Sequence, residues 1–401
     1  MLTIVGGIYR EICVRPQWDE VYGSAGRAAS SVARLGGKVD LRGYLDADLA
    51  PAMQARAIEE GFLLKSTQLP RSAAFSYTHC LAVPQIYRPE KQSDLHVQSE
   101  KVLRFGMLEG TAVVDADYAV YDPQNVAGPE SFASNGSKAN HLALVLNVYE
   151  AVQLLGERGL EPVEITERLA AQQGAEVVVL KMGPKGALVY HEGTHQLVPA
   201  YATARVWKIG SGDQFAANFA YAWIEEGRPP VEAAERASRA TAFYAQHRGY
   251  PTVTELDAFA PVPLVVSKNY EQGRVPAVYL AGPFFTLGQL WVVEQARNCL
   301  RDMGLKVFSP YHDVGHGPAE LVVGQDVKGI HQSDVVLAIG DGLDSGTIFE
   351  VGYARARGIP VVFYAENESQ GDYKMMEGTD CFLCDDFVSA IYRTVWVAIS
   401  L

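Results

Sequence analysis

Short runs of β-branched and aliphatic residues recur along this chain and alternate with stretches of helical period. "VVVLKMG" (177–183), "AVYLAG" (277–282), "DVVLAIG" (334–340) and "PVVFYA" (360–365) are apolar on consecutive positions, as strands buried on both faces require. Between such runs, 213–226 carries Phe215, Phe219 and Trp223 at i, i+4 and i+8, which predicts a helix with one apolar face. Alternation of this kind predicts an α/β protein built on parallel sheets. The opening "MLTIVGGIYREICV" reads as a first strand rather than a secretory signal. Within 256–276 the helical period is lost and three prolines occur just before a fresh strand. This predicts a domain over 1–260, a linker over 261–276 and a smaller domain over 277–401.

Composition narrows the classes of function. Among 401 residues, 48% are hydrophobic and 20% charged, as in soluble globular proteins. The net charge of −13 argues against a nucleic-acid partner, since phosphate neutralisation needs clustered Lys and Arg. No apolar run approaches the roughly 18 residues that span a bilayer, so no membrane partner is expected. Five cysteines, an odd number, suggest reduced thiols in a cytoplasmic protein. Cys381-Phe-Leu-Cys384 has no second pair, which argues against a zinc site.

The segment "DGLDSGTIFEVGYARARGIP" (341–360) holds two carboxylates, Asp344 and Glu350, six positions apart. Thr347-x-x-Glu350 fits a capping box that would put Glu350 in the first turn of a helix, with Asp344 in the preceding loop. Gly358 and Pro360 supply the helix stop. Two further segments fall at expected strand ends. "YLAGPFF" (279–285) contains Gly282, which would allow a ligand close to the backbone, and "GQDVKGIHQSD" (324–334) puts Asp326 on a helix. In open parallel sheets ligands bind beyond the carboxyl ends of the strands, so the three segments are expected to meet in one crevice.

These segments resemble the nucleoside 2-deoxyribosyltransferase family over roughly 277–365. The resemblance implies a Rossmann-like (flavodoxin-like) domain in which Glu350 attacks the anomeric carbon. Asp326 handles the departing base or its proton, and Asp344 contacts the sugar. Gly282, Pro283 and Phe284 of the Gly-Pro-aromatic loop and Tyr353 of the G-x-x-x-E-x-G-Y-A segment are the further substrate residues it implies. It also implies a nucleoside and a free base as partners, no cofactor, and a homo-oligomer. The residue types suit the chemistry: a carboxylate can trap the oxocarbenium-like centre, and a protonated carboxyl can serve the leaving base. Related glycosidases acting on 5′-monophosphates carry Ser where this chain has Asp344, which favours an unphosphorylated nucleoside. "HDVGH" (312–316) reads as a loop lining the site, because its glycines and Pro318 oppose the helix that a His pair would need to bind metal.

In the first half, "KIGSGDQFAANFAYAW" (208–223) is a glycine-rich turn entering a helix, a natural anion hole. Asp213 is placed either to cap that helix or to take a proton from a hydroxyl during phosphoryl transfer. With "GSAGRAASSVARLGG" (23–37), "NVYE" (147–150) and "KMGPKGALV" (181–189), the order resembles the ribokinase-like (PfkB) sugar and nucleoside kinases over 1–260. The resemblance implies an α/β/α sandwich with ATP phosphates at Gly210, Ser211, Gly212, Gly183 and Gly186. It implies magnesium held indirectly by Asn147 and Glu150, and Asp213 as catalytic base. Three residues depart from the family pattern: Trp207-Lys208 stand for Asp-Thr, Lys181 for Thr, and Arg27 for Asn.

The leading reading is a nucleoside glycosyltransferase or hydrolase joined to an ATP-dependent sugar or nucleoside kinase, in nucleoside salvage or modification. The second is an N-glycosidase acting on nucleotides or NAD, with the kinase-like half reduced to a ligand-binding or scaffold module.

Overall fold

The computed structural model describes all 401 residues, which divide into two compact units, 1–203 with 207–263, and 204–206 with 264–401. The first unit begins β1 (Leu2–Val5), β2 (Arg10–Cys13), β3 (Trp18–Val21), α1 (Gly23–Arg34), β4 (Val39–Leu45), α2 (Ala50–Glu60) and β5 (Leu63–Gln68). It continues through β6 (Ala74–Tyr77), β7 (Gln85–Tyr87), β8 (Leu95–Gln98), β9 (Lys101–Phe105), β10 (Ala112–Asp122) and β11 (Lys138–Asn147). Then come α3 (Val148–Leu155), α4 (Pro162–Gln173), β12 (Val177–Lys181), β13 (Ala187–His191), β14 (Thr194–Val198) and β15 (Tyr201–Ala202). The unit closes with α5 (Ser211–Ala220), α6 (Pro230–His247), α7 (Val253–Ala258) and β16 (Val262–Pro263).

Ten strands form its main sheet in the order β14-β13-β12-β11-β10-β9-β1-β4-β5, with β8 beside β10. Pairing is parallel except at β12–β13 and β13–β14. The pleat sends alternate residues to opposite layers. Val177 and Val179 join a core with residues of α1, α5 and α6, whereas Val178 and Leu180 join one with Ile165 and Leu169 of α4. That is why the strand is apolar on every position, and it makes the unit a three-layer α/β/α sandwich. Phe215, Phe219 and Trp223 are buried on one face as their spacing predicts. A separate sheet of order β3-β2-β6-β7 lies beside the main one in sequence and carries residues of the cleft described below.

The second unit runs α8 (Lys268–Glu271), β17 (Ala277–Ala281), α9 (Leu287–Asp302), β18 (Lys306–Phe308), α10 (Ala319–His331) and β19 (Val335–Ile339). It ends with α11 (Ser345–Ala356), β20 (Val361–Tyr364), α12 (Lys374–Gly378), β21 (Phe382–Cys384) and α13 (Phe387–Ser400). Its five strands are all parallel, in the order β18-β17-β19-β20-β21. This is the flavodoxin-like arrangement, in which the strand order reverses between β17 and β19 and opens a crevice at their carboxyl ends. Tyr279 and Ala281 of β17 face the layer that holds Ile330 of α10 and Val351 and Ala354 of α11. Residues 310–314, expected as loop, form one π-helical turn after β18. No helix of the protein is long and apolar enough to cross a membrane.

Candidate functional site

In the second unit the crevice is built where β17 and β19 end. Asp344 is the N-cap of α11: its Oδ2 accepts from the backbone N–H of Thr347 at 2.8 Å and from Thr347 Oγ1 at 3.0 Å. This corrects the expected capping box. Thr347 is already inside the helix, and Glu350 is in the second turn, beyond reach of the free N–H groups that a cap serves. Its carboxylate instead meets Tyr279 of β17, whose hydroxyl donates to Oε1 at 2.5 Å.

Burial pushes Glu350 up to about 7, with the charges of Asp326 and Asp344 acting in the same direction and the Tyr279 bond opposing them. Glu350 raises the Tyr279 hydroxyl in turn, after burial as the larger cause. Asp326 lies on α10 as expected; burial raises it, and its buried Oδ1 finds no hydrogen-bond partner. The structure therefore brings Glu350, Asp326 and Asp344 together and adds Tyr279, which the motifs did not mark. A tyrosine at a buried strand position three residues before Gly282 was its only sequence signal.

Other expected positions serve differently. A Cβ on Gly282 would lie 2.9 Å from Cβ of Ile339, so packing between the ends of β17 and β19 demands this glycine. Pro283 is buried behind it, and Phe284 clusters with Tyr311 and His316 at centroid distances of 5.3 and 5.6 Å. Tyr353 is directed away from the crevice: its hydroxyl bonds Nε2 of His331 at 2.8 Å, at the far end of α10. His312 is held between Glu294 (2.8 Å) and Ser309 (3.0 Å).

The first unit carries a cleft of about 440 Å³ whose wall includes Tyr9, Phe75, Tyr77, Gln124, Gly210 and Asp213. Gly210 has φ +76° and caps α5, and Asp213 is in the first turn. Both oxygens of Asp213 are engaged, Oδ2 by Arg27 Nε at 3.2 Å and Oδ1 by Gln124 Nε2 at 2.7 Å. Arg27 is fully buried, bonds Glu11 as well, and donates to the Tyr244 hydroxyl at 2.8 Å.

Lys181 Nζ donates to Asp122 Oδ2 at 2.8 Å, and Lys208 Nζ to Ser211 Oγ at 2.7 Å. Burial pushes Asp122 up to about 7, with Lys181 opposing. Asn147 and Glu150 line the cleft but form a reciprocal capping box on α3, with bonds of 2.8 and 2.9 Å. Gly183 and Gly186 lie on the β12–β13 turn, outside the residues that line the cleft. A Cβ on Gly186 would lie 2.0 Å from the Val198 carbonyl, so strand packing already requires that glycine.

Fold and site thus define two α/β domains of enzyme-like architecture, and comparison with known proteins specifies them. Residues 278–382 match the family model for nucleoside 2-deoxyribosyltransferase, and residues 135–255 that for the pfkB family of carbohydrate kinases. The chain is a fusion of a PfkB kinase-like domain and a nucleoside 2-deoxyribosyltransferase-like domain.

Solved structures similar to the first unit include a Burkholderia thailandensis nucleoside kinase in complex with inosine. It is 21% identical, with 64% of this chain and 96% of that one covered and a TM-score of 0.49. A Methanocaldococcus jannaschii nucleoside kinase of the ribokinase family is 14% identical, with 64% and 96% covered and a TM-score of 0.49. A Vibrio cholerae fructokinase in fructose-, ADP- and calcium-bound form is 17% identical, with 64% and 98% covered and a TM-score of 0.48. No match to a curated protein was found.

Proposed function

We propose that the second unit breaks the N-glycosidic bond of (deoxy)nucleosides through Glu350 and passes the sugar to a second base or to water. The observation that carries this reading is the setting of Glu350: freed from any capping role, buried, bonded by Tyr279 and flanked by Asp326 and Asp344. Ionised Glu350 attacks the anomeric carbon as the C–N bond breaks, giving a glycosyl ester. The departing base keeps the electron pair of that bond and takes a proton from Asp326, whose raised pKa suits an acid. An incoming base or water then attacks the same carbon, returns its proton to Asp326 and releases Glu350.

Asp344 spends Oδ2 on the helix cap, which leaves Oδ1 for a sugar hydroxyl. A carboxylate at Asp344, where the sugar lies, repels a phosphate, so the substrate is an unphosphorylated nucleoside. The chemistry uses carboxyl groups alone and needs no cofactor. The resemblance further implies a homo-oligomer, whose mass light scattering reads directly.

Chromatography of the protein with deoxyinosine, with and without free adenine, tests the reading. Deoxyadenosine that appears only with adenine, and vanishes in Glu350→Ala, establishes transfer. Hypoxanthine alone means hydrolysis. Release from deoxyinosine 5′-monophosphate but not from deoxyinosine overturns the nucleoside assignment in favour of a nucleotide glycosidase.

A further inference from the structure

Phosphoryl transfer on the kinase-like unit would need a base free to receive a hydroxyl proton and a carboxylate set free to hold a metal. Both places are taken by side chains of the chain itself. Arg27 is 0% exposed and bridges Asp213 to Glu11. It also runs directly against the anion-hole turn: a Cβ on Gly210 would lie 1.7 Å from its Nε. With Gln124 on the other oxygen, a ligand hydroxyl meets a carboxylate bonded on both sides.

The second cation is Lys181, whose Nζ is 2.8 Å from Asp122 Oδ2 and feels the charges of Glu150 and Asp213. Glu150 meanwhile has its Oε2 turned onto the backbone of Asn147. Magnesium, which is held by one or two free carboxylates, does not fit here, since an ammonium is bonded to Asp122 and Glu150 is spent on the helix start.

The cleft nonetheless has the makings of a binding site. Its volume of about 440 Å³ falls in the usual range for small-ligand pockets, roughly 300–1,000 Å³. Tyr9, Phe75 and Tyr77 lean on one another, with centroids 4.6 and 6.5 Å apart and planes 35° and 17° from parallel, and line one side of the cleft with aromatic surface. Opposite in character are Ser24, Gln124 and Asp213, which can exchange hydrogen bonds with hydroxyl groups.

We propose that this cleft holds a nucleoside, base against the ring wall and sugar hydroxyls toward Gln124 and Asp213, without magnesium and without phosphorylating it. Arg27 and Lys181 are the residues that convert a kinase-like cleft into a binding site.

The test uses the full chain carrying Glu350→Ala, so that the second unit leaves the probe intact. Calorimetric titration with inosine is expected to show two binding events, one in each unit, of which the one in this cleft has equal affinity in magnesium and in EDTA. Phe75→Ala, which takes away the ring that Tyr9 and Tyr77 lean on, is expected to weaken that event about tenfold or more, the scale of losing a base–ring contact. Gln124→Ala, at a partly buried position, supplies a second variant should Phe75→Ala fail to fold. ATP with magnesium and inosine should yield no nucleoside monophosphate. Binding indifferent to both variants overturns the site, and ATP-dependent phosphorylation lost in Asp213→Asn overturns the loss of transfer.

Discussion

The hydroxyl of Tyr279 donates to Oε1 of Glu350 at 2.5 Å, joining a strand and a helix 71 residues apart in sequence. This bond favours the ionised carboxylate, against burial and two neighbouring aspartates. Tyr279→Phe removes the hydrogen bond that lowers the pKa, so the acid limb of the pH–rate profile moves up from near 7. Base release should fall about tenfold at pH 6, the scale of a hydrogen bond to a charged group, and less at pH 8. Rates measured across that range check the shift.

Glu350 also makes stability depend on pH. Its folded pKa of about 7 exceeds the ordinary value of 4.5, so between these values the folded state keeps a proton that the unfolded state has lost. Stability therefore falls as pH rises through this window, by up to about 3 kcal/mol in full above pH 7. Glu350→Gln should raise the melting temperature at pH 8 and leave it nearly unchanged near pH 4.5. Scanning calorimetry at both values reads the difference.

Asp326 is placed to protonate the leaving base, and this role can be separated from a structural one. Asp326→Asn should slow cleavage of inosine about 10²–10⁴-fold. 7-Methylguanosine, whose base leaves without needing a proton, should be affected far less. Equal losses on the two substrates would remove Asp326 from the acid role.

Arg27 neutralises two buried carboxylates at once. Arg27→Met leaves Glu11 and Asp213 uncompensated and should cost the first unit about 3–5 kcal/mol. Adding Glu11→Gln and Asp213→Asn should restore much of that loss. Thermal unfolding of the single and triple variants tests the coupling.

Much of the architecture was legible because it follows from neighbours in sequence. Consecutive apolar residues at 177–181 and 335–339 mark strands buried on both faces, and the spacing of Phe215, Phe219 and Trp223 marks a helix face. The segment that carries Asp344 and Glu350 follows such a strand and the one that carries Asp326 leads into it, which is why the three were expected in one crevice. Local patterns misled where two caps competed. Thr347 and Glu350 have capping-box spacing, yet Asp344, three residues earlier, takes the N-cap and moves Glu350 into the second turn. A reciprocal box does form at Asn147 and Glu150, residues that the kinase resemblance assigns to a metal.

The sequence by itself thus determined the two α/β domains and several of their buried strands, because period and spacing act over a few residues. Tertiary structure alone decided which groups face one another. Arg27 reaches Asp213 across 186 positions, Tyr279 reaches Glu350 across 71, and the Ile339 side chain claims the space at Gly282. Such pairings depend on strand register and helix docking, and a buried charge takes whatever partner these place beside it.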